Sequence, residues 1–151
     1  MASLRIPVVV RWSDMDAFGH VNNVQTLRLL EEARIRSFSG EHAEVLGLLE
    51  TGSVVARHEV EYLLPLVWRP EPVDVDIWVT RTGGASFDLG YEISDDRGQG
   101  PDGRAVYLRA ASTIVLVDTA TGSPRRMDAR QRELLATLSG GPVAFRPRGG
   151  A

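Results

Sequence analysis

Four stretches of this chain alternate apolar and polar residues with a period of two, and the long stretch after the first of them breaks that rhythm. In "LRIPVVVRW", Leu4, Ile6, Val8, Val10 and Trp12 share one face. In "VVARHEVEYLL", Val54, Ala56, His58, Val60, Tyr62 and Leu64 oppose Arg57, Glu59 and Glu61. "VDVDIWVT" sets Val73, Val75, Ile77 and Val79 against Asp74, Asp76, Trp78 and Thr80. "SFDLGYEIS" sets Phe87, Leu89, Tyr91 and Ile93 against Ser86, Asp88, Gly90 and Glu92. Successive side chains on a strand point to opposite faces, so each run reads as a strand with one buried face. A fifth run, about 104 to 117, is more uniformly apolar, as a central strand would be. "VWRPEP", "RTGGA" and "SDDRGQGPDG" supply turns, and these short connections favour an antiparallel meander for the last four strands. Pro7, which has no N–H to give a ladder, suits an edge or a strand start.

The exception is "NNVQTLRLLEEARIRSF", which has helix-forming composition and contains neither Gly nor Pro. Asn22 or Asn23 can cap it. At 100° per residue Arg28, Glu32 and Arg36 form a narrow charged stripe. Val24, Thr26, Leu27, Leu29, Leu30, Ala33 and Phe38 cover more than half the circumference, which predicts burial on more than one side. Glu31 and Arg34 fall inside that arc and are expected to pair. "EHAEVLGLLE" reads as a second, shorter helix, and residues 128 to 138 as another. One apolar sheet face and one long early helix to fill it define an α+β hotdog fold, an antiparallel sheet wrapped around a central helix. A single domain is expected over 1–139, with a flexible Gly-, Pro- and Arg-rich tail over 140–151. A lone layer leaves an edge and part of the helix uncovered, so a homodimer or homotetramer is expected.

Composition narrows the function classes. The 151 residues are 43% hydrophobic and 25% charged, an ordinary globular balance for one domain. A formal net charge of -3 lacks the basic footprint of a nucleic-acid binder. With no cysteine, disulfides and thiolate chemistry are excluded. The N-terminal apolar run is interrupted by Arg5 and Pro7, so neither a signal peptide nor a membrane span is expected, and a cytoplasmic location is. His20, His42 and His58 show no metal-ligand spacing, and no metal or organic cofactor is implied. Neither a Gly-x-Ser-x-Gly elbow nor a phosphate-binding Gly-rich motif occurs.

The chemistry concentrates in "RWSDMDAFGHVNN", between the first strand and the helix. Asp16 stands where a strand ends and a helix soon begins. Free N–H groups at a helix start, with their dipole, favour negative charge and make a ready oxyanion site. A carboxylate there can attack an electrophilic carbonyl carbon directly or act as general base. Gly19 lets the backbone turn closely and leaves open space beside the turn. On spacing alone, Asp14 and Asp16 read more simply as turn or cap acids, and Asn22 and Asn23 as caps. His20 orients the loop, lines a pocket or assists the reaction. His58, on an apolar strand face, reads as a satisfied core histidine.

Carried through the helix, "RWSDMDAFGHVNNVQTLRLLEEAR" resembles the signature of hotdog-fold acyl-CoA thioesterases of the 4-hydroxybenzoyl-CoA thioesterase-like family. The matching residues are Trp12, Asp14, Asp16, Gly19, His20, Val21, Asn22, Asn23, Glu31 and Arg34. "HEVEYLLPL" with Pro65 and "ASF" with Ser86 and Phe87 resemble later family segments, so the similarity spans about 5 to 118. The resemblance implies hydrolysis of an acyl-CoA to acid and thiol across a dimer interface. It implies Asp16 as the catalytic carboxylate and the Asn23 backbone N–H as the oxyanion donor. It implies substrate contacts from Gly19, His20, Val21, Asn22 and Thr26, with Ser86 and Arg81 near the pantetheine arm or phosphates. Thr26 replaces the family's frequent Tyr, which alters the acyl pocket. "TGGAS" lacks the basic cluster some relatives use for CoA, which leaves an acyl-carrier-protein substrate open. The alternatives are a non-catalytic acyl-thioester binding module and an enoyl-thioester hydratase using Asp16 and His20. The hydratase signature has Asn-Pro and one more residue of spacing. Glu31 is the rival carboxylate, since another hotdog branch uses a helix Glu.

Overall fold

The computed structural model describes residues 2–38, 52–99 and 101–149. Five strands form one antiparallel sheet: β1 (Leu4–Val8), β2 (Ser53–Tyr62), β3 (Val73–Thr82), β4 (Ser86–Asp95) and β5 (Ala105–Leu116). Helix α1 (Asn23–Ser37) follows β1, and a short α2 (Ala129–Ala136) follows β5. The predicted helix over 41–50, and His42 with it, lie outside the described residues.

The inward positions of β3, β4 and β5 are the core, whereas the expected buried face of β2 is not, with Val54, Ala56, His58 and Tyr62 exposed at the sheet edge. Val73, Val75, Ile77, Phe87, Leu89, Tyr91 and Ile93 are fully buried, and Val79, Leu108, Ile114 and Leu116 nearly so. Helix α1 lies on this face against β1 and β3 through Leu29, Leu30 and Ala33, and Phe38 is buried just beyond its end. Each large side chain so buried stabilises the fold by about 1.5–3 kcal/mol over exposure. A one-residue slip would invert every strand face, so the alternation sets the register. Leu4 faces Ile77 and Val8 faces Val73, while Pro7 sits on an edge strand as its chemistry requires.

Several expectations need correction. The strand order is β1-β3-β4-β5-β2, so only β3, β4 and β5 form a meander, and β2 pairs with β5 instead of β3. The connection 63–72 carries Pro65, Pro70 and Pro72, which donate no ladder bonds, and takes the chain across the sheet to β3. Trp12 is 76% exposed, because β1 ends at Val8 and a single 3₁₀ turn (Trp12–Asp14) redirects the chain. Glu31 and Arg34 do not pair: Glu31 is exposed, while buried Arg34 donates to the Tyr91 hydroxyl at 3.3 Å. Arg34 is drawn into the sheet by the Tyr91 hydroxyl, while Glu31 stays exposed in the groove between the helix and the β2 edge, near Val55 and His58. The charged stripe is present, with Arg28–Glu32 at 2.9 Å and Arg36–Glu32 at 3.6 Å.

Residues 138–146 cross the outer sheet face. Val79 N–H donates to Leu138 O, Trp78 Nε1 to Gly141 O, Arg109 Nη1 to Ala144 O, and Arg146 N–H to Glu61 Oε2. Trp78, on the outer face, is therefore buried. Its indole lies over Gly90, its cross-strand partner, where a Cβ would approach ring carbon Cε2 to 2.5 Å. The β2 edge is left open, with Val54, Val55 and Tyr62 exposed, as are Val24 and Ile35 on α1. Among the described residues no helix is long and apolar enough to cross a membrane.

Candidate active site

The loop between β1 and α1 is a small hairpin. Met15 bridges Val21, Asn22 N–H donates to Asp14 O, and Asp16 N–H donates to His20 O at 2.8 Å. Gly19 N–H returns to Asp16 O at 3.1 Å, and Gly19 adopts φ 77°. A turn closed by a left-handed residue is the usual three-residue hairpin connection, and glycine is the residue that adopts that φ without strain. Nothing lies within 4 Å of where a Gly19 Cβ would stand, so conformation and not space demands glycine there.

The two acids part company within this hairpin. Asp14 is completely buried. It accepts from Arg11 N at 2.8 Å, from Arg11 Nε and Nη2 at 3.0 and 2.8 Å, and from Arg28 Nη2 at 2.8 Å. Burial pushes its pKa up, but the bonds from Arg11 and Arg28 outweigh it and hold the carboxyl below its ordinary value. Asp14 therefore ties the loop to the helix. Asp16 is half-buried, and its Oδ1 accepts from Phe18 N–H at 2.9 Å. Among the described residues its Oδ2 has no hydrogen-bond partner.

Asn22 is the N-cap of α1, its side chain accepting from Val24 N–H at 2.9 Å. Gln25 and Thr26 N–H donate to Asn22 O. That leaves the Asn23 N–H without a partner among the described residues. Asn23 O accepts from Thr26 Oγ1 at 2.6 Å and from the Tyr62 hydroxyl at 3.1 Å, which pins the helix start to the edge strand β2.

Beside this helix start lies a cavity of about 310 Å³. His20, Val21, Asn23 and Thr26 form one side, and Leu63, Leu64, Pro65 and Leu66 another, with Tyr62, Ile93, Tyr107 and Leu108 completing it. Leu66 O accepts from Val21 N–H at 2.7 Å, so the two walls are joined. Four of the expected site residues thus gather at the cavity, while Gly19 and Asn22 shape it without lining it. Asp16 stands on the adjoining hairpin outside the lining. Ser86 and Arg81 lie at the opposite end of the sheet: Ile93 is seven positions along β4 from Ser86, about 23 Å at 3.3 Å per residue. There Arg81 is engaged by Asp88 at 2.6 Å and donates to Ser86 Oγ at 3.3 Å. His58 is exposed in the chain, because β2 is an edge, and its Nδ1 shares a 2.6 Å bond with Ser112 Oγ.

The residues of 63–66 and Tyr107 escaped the sequence reading. "YLLPL" read as strand continuation, and only Pro65 signalled that it leaves the ladder. Among the described residues, no group of three or more His, Asp or Glu gathers as a metal site.

A helix filling an antiparallel sheet, with a polar hairpin and an apolar cavity at the helix start, is the hotdog architecture. The thioesterase-like superfamily profile matches residues 10–137, and the chain belongs to that family; it is a thioester hydrolase. A Thermus thermophilus thioesterase, solved with coenzyme A and Zn, is 31% identical with TM-score 0.72, covering 91% of this chain and 95% of its own. A Xanthomonas campestris protein provisionally described as an acyl-CoA thioesterase is 34% identical with TM-score 0.61, covering 77% and 93%. A 1,4-dihydroxy-2-naphthoyl-CoA thioesterase from Synechocystis shares the fold at 18% identity, with TM-score 0.71, covering 91% and 96%. No curated protein matches the chain.

Proposed function

We propose that the protein hydrolyses an acyl-CoA thioester, with Asp16 as nucleophile or general base and the Asn23 N–H steadying the oxyanion. The observation that carries this reading is the Asn23 N–H, unpartnered among the described residues, at the start of a 15-residue helix on the wall of a largely apolar cavity. A donor already free and oriented needs no reorganisation when negative charge develops on the carbonyl oxygen. On the adjoining hairpin, Asp16 has one oxygen held by Phe18 N–H and the other free to meet water or the carbonyl carbon. Coenzyme A is the favoured thiol, because a relative 31% identical is solved with it.

The reading includes a homodimer through β2. That strand offers ten residues of unpaired edge with Val54, Val55 and Tyr62 exposed, a surface that isolated proteins avoid presenting. Antiparallel pairing of two such edges sets opposite sheet ends side by side. The partner's Ser86 and the partner's Arg81 would then stand level with this chain's cavity, within range of the pantetheine arm and phosphates.

The test is Asp16→Asn, assayed by thiol release from a panel of acyl-CoA thioesters. Loss of a general acid–base or nucleophilic carboxylate should lower kcat by about 10²–10⁴-fold. The melting temperature should stay near that of the wild type, since Asp16 makes one local side-chain bond. Wild-type turnover in the variant rules out the assignment. In single-turnover reactions in ¹⁸O water, label appearing in Asp16 marks direct attack with water cleaving the anhydride at the Asp16 carbonyl; no label together with no borohydride-trapped acyl anhydride on Asp16 marks general-base catalysis.

A further inference from the structure

Four consecutive cavity residues, Leu63–Leu66, belong to no strand or helix. Irregular backbone holds a defined shape only where its polar groups are tied down. Leu63 and Leu64 N–H both donate to Tyr107 O, at 2.9 and 3.2 Å, and Leu66 O receives Val21 N–H. Immediately after this segment stands Arg69, 6% exposed. Its Nε donates to Val67 O at 3.2 Å and its Nη1 to the Tyr107 hydroxyl at 3.0 Å; its Nη1 is also ion-paired with Asp95. The guanidinium lies 5.0 Å from the centre of the Tyr107 ring. Asp95, 7% exposed, accepts from the Tyr107 hydroxyl on both oxygens at 3.1 Å and from Arg97 N–H at 3.0 Å.

We propose that Arg69 is a positioning residue that sets the shape of the acyl-facing wall, and through it the preference for acyl length. Removing two charges from water costs much of what their attraction returns, so a buried ion pair is a poor device for stability alone. What a guanidinium does well is hold several acceptors at fixed angles. Here one fork grips the Val67 carbonyl, one residue past the wall segment, the hydroxyl of Tyr107, whose carbonyl holds Leu63 and Leu64, and Asp95. The wall is thereby fastened to β5 by main chain and side chain at once. This inference rests on the cavity being the acyl site.

The test uses Arg69→Lys, which keeps the charge opposite Asp95 but loses the planar fork, and Asp95→Asn as a second variant with native shape. Neither residue lines the cavity. For decanoyl-CoA, KM should rise about tenfold in both variants with kcat within about twofold, as expected when a remote change misplaces a wall and not the reacting groups. Acetyl-CoA, which does not fill the cavity, should change by less than about twofold in KM. Hydrogen exchange at the Leu63 and Leu64 amides should quicken selectively. An equal loss for both acyl groups, an unchanged KM for decanoyl-CoA, or unaltered exchange at those amides overturns the proposal. A wild type that releases thiol from no CoA thioester instead refutes the acyl-CoA reading, and amide exchange then decides the positioning role by itself.

Discussion

Replacing Asp14 with Asn tests whether the buried acid of the hairpin is structural, apart from Asp16, the carboxylate proposed to react. The substitution keeps volume and removes charge at a carboxylate that is 0% exposed and accepts four hydrogen bonds. Bonds to charged groups are worth about 1.5–3 kcal/mol each, and breaking a buried pair costs about 3–5 kcal/mol. Those values need discounting, because the Arg11 and Arg28 side chains are 53% and 28% exposed and regain water. A net loss of about 2–4 kcal/mol remains, which for a chain this size is a fall of roughly 5–15 °C in Tm. Thermal melting followed by circular dichroism at neutral pH reads it directly. The pH dependence supplies a second check. Asp14 is held below its ordinary pKa, because the arginine bonds outweigh burial, so the folded state binds its proton less readily than the unfolded chain. Its stabilisation is complete above the ordinary carboxylate range and disappears as pH falls through the lowered value. The wild type should therefore lose more Tm on acidification than Asp14→Asn does. An Asp14→Asn variant melting within about 2 °C of the wild type at neutral pH would refute the pinning role.

Gly90→Ala should cost about 1–3 kcal/mol, since the added methyl meets the Trp78 indole, itself tied to Gly141. A Tm drop with a red shift in tryptophan emission checks it, and an unchanged melt refutes it. His58 is exposed as a residue, but its ring is partly desolvated beside Ser112; that desolvation first and Arg34 second hold its pKa below the ordinary value, with Glu31 opposing. Its neutral form is favoured in the fold, so stability is present above the ordinary histidine value and declines as pH falls below it. Melts between pH 7.5 and 5.5 should show a slope that His58→Gln flattens; parallel curves would exclude His58 as its source.

The legible part of this molecule is the part governed by neighbours in sequence. Side-chain alternation in β3 and β4 named their inward residues because a pleat repeats every two residues whatever the strand pairs with. The charged stripe of α1 followed from helical geometry alone. The hairpin was legible as a turn before a helix, and its resemblance to a thioesterase signature singled out Asp16 over Asp14. The fold gives the two acids different surroundings: arginines enclose Asp14, and Asp16 has one oxygen without a hydrogen-bond partner among the described residues.

What local pattern leaves open is which elements meet. The alternation of β2 is as regular as that of β3, yet β2 is an exposed edge and β3 is central, because three prolines between them carry the chain across the sheet. Glu31 and Arg34 had the spacing to pair, and the phenol of Tyr91, 57 residues from Arg34, took the guanidinium instead. Arg69, Asp95 and Tyr107 are a mixed set of loop and strand residues in the sequence, and only the folded chain makes them one buried cluster. Periodicity belongs to the backbone and is written residue by residue, so the sequence alone determined the strands, the helix and the inward faces. Partnership depends on distance after folding, and the tertiary structure alone decided the edge, the cavity wall and the charges behind it.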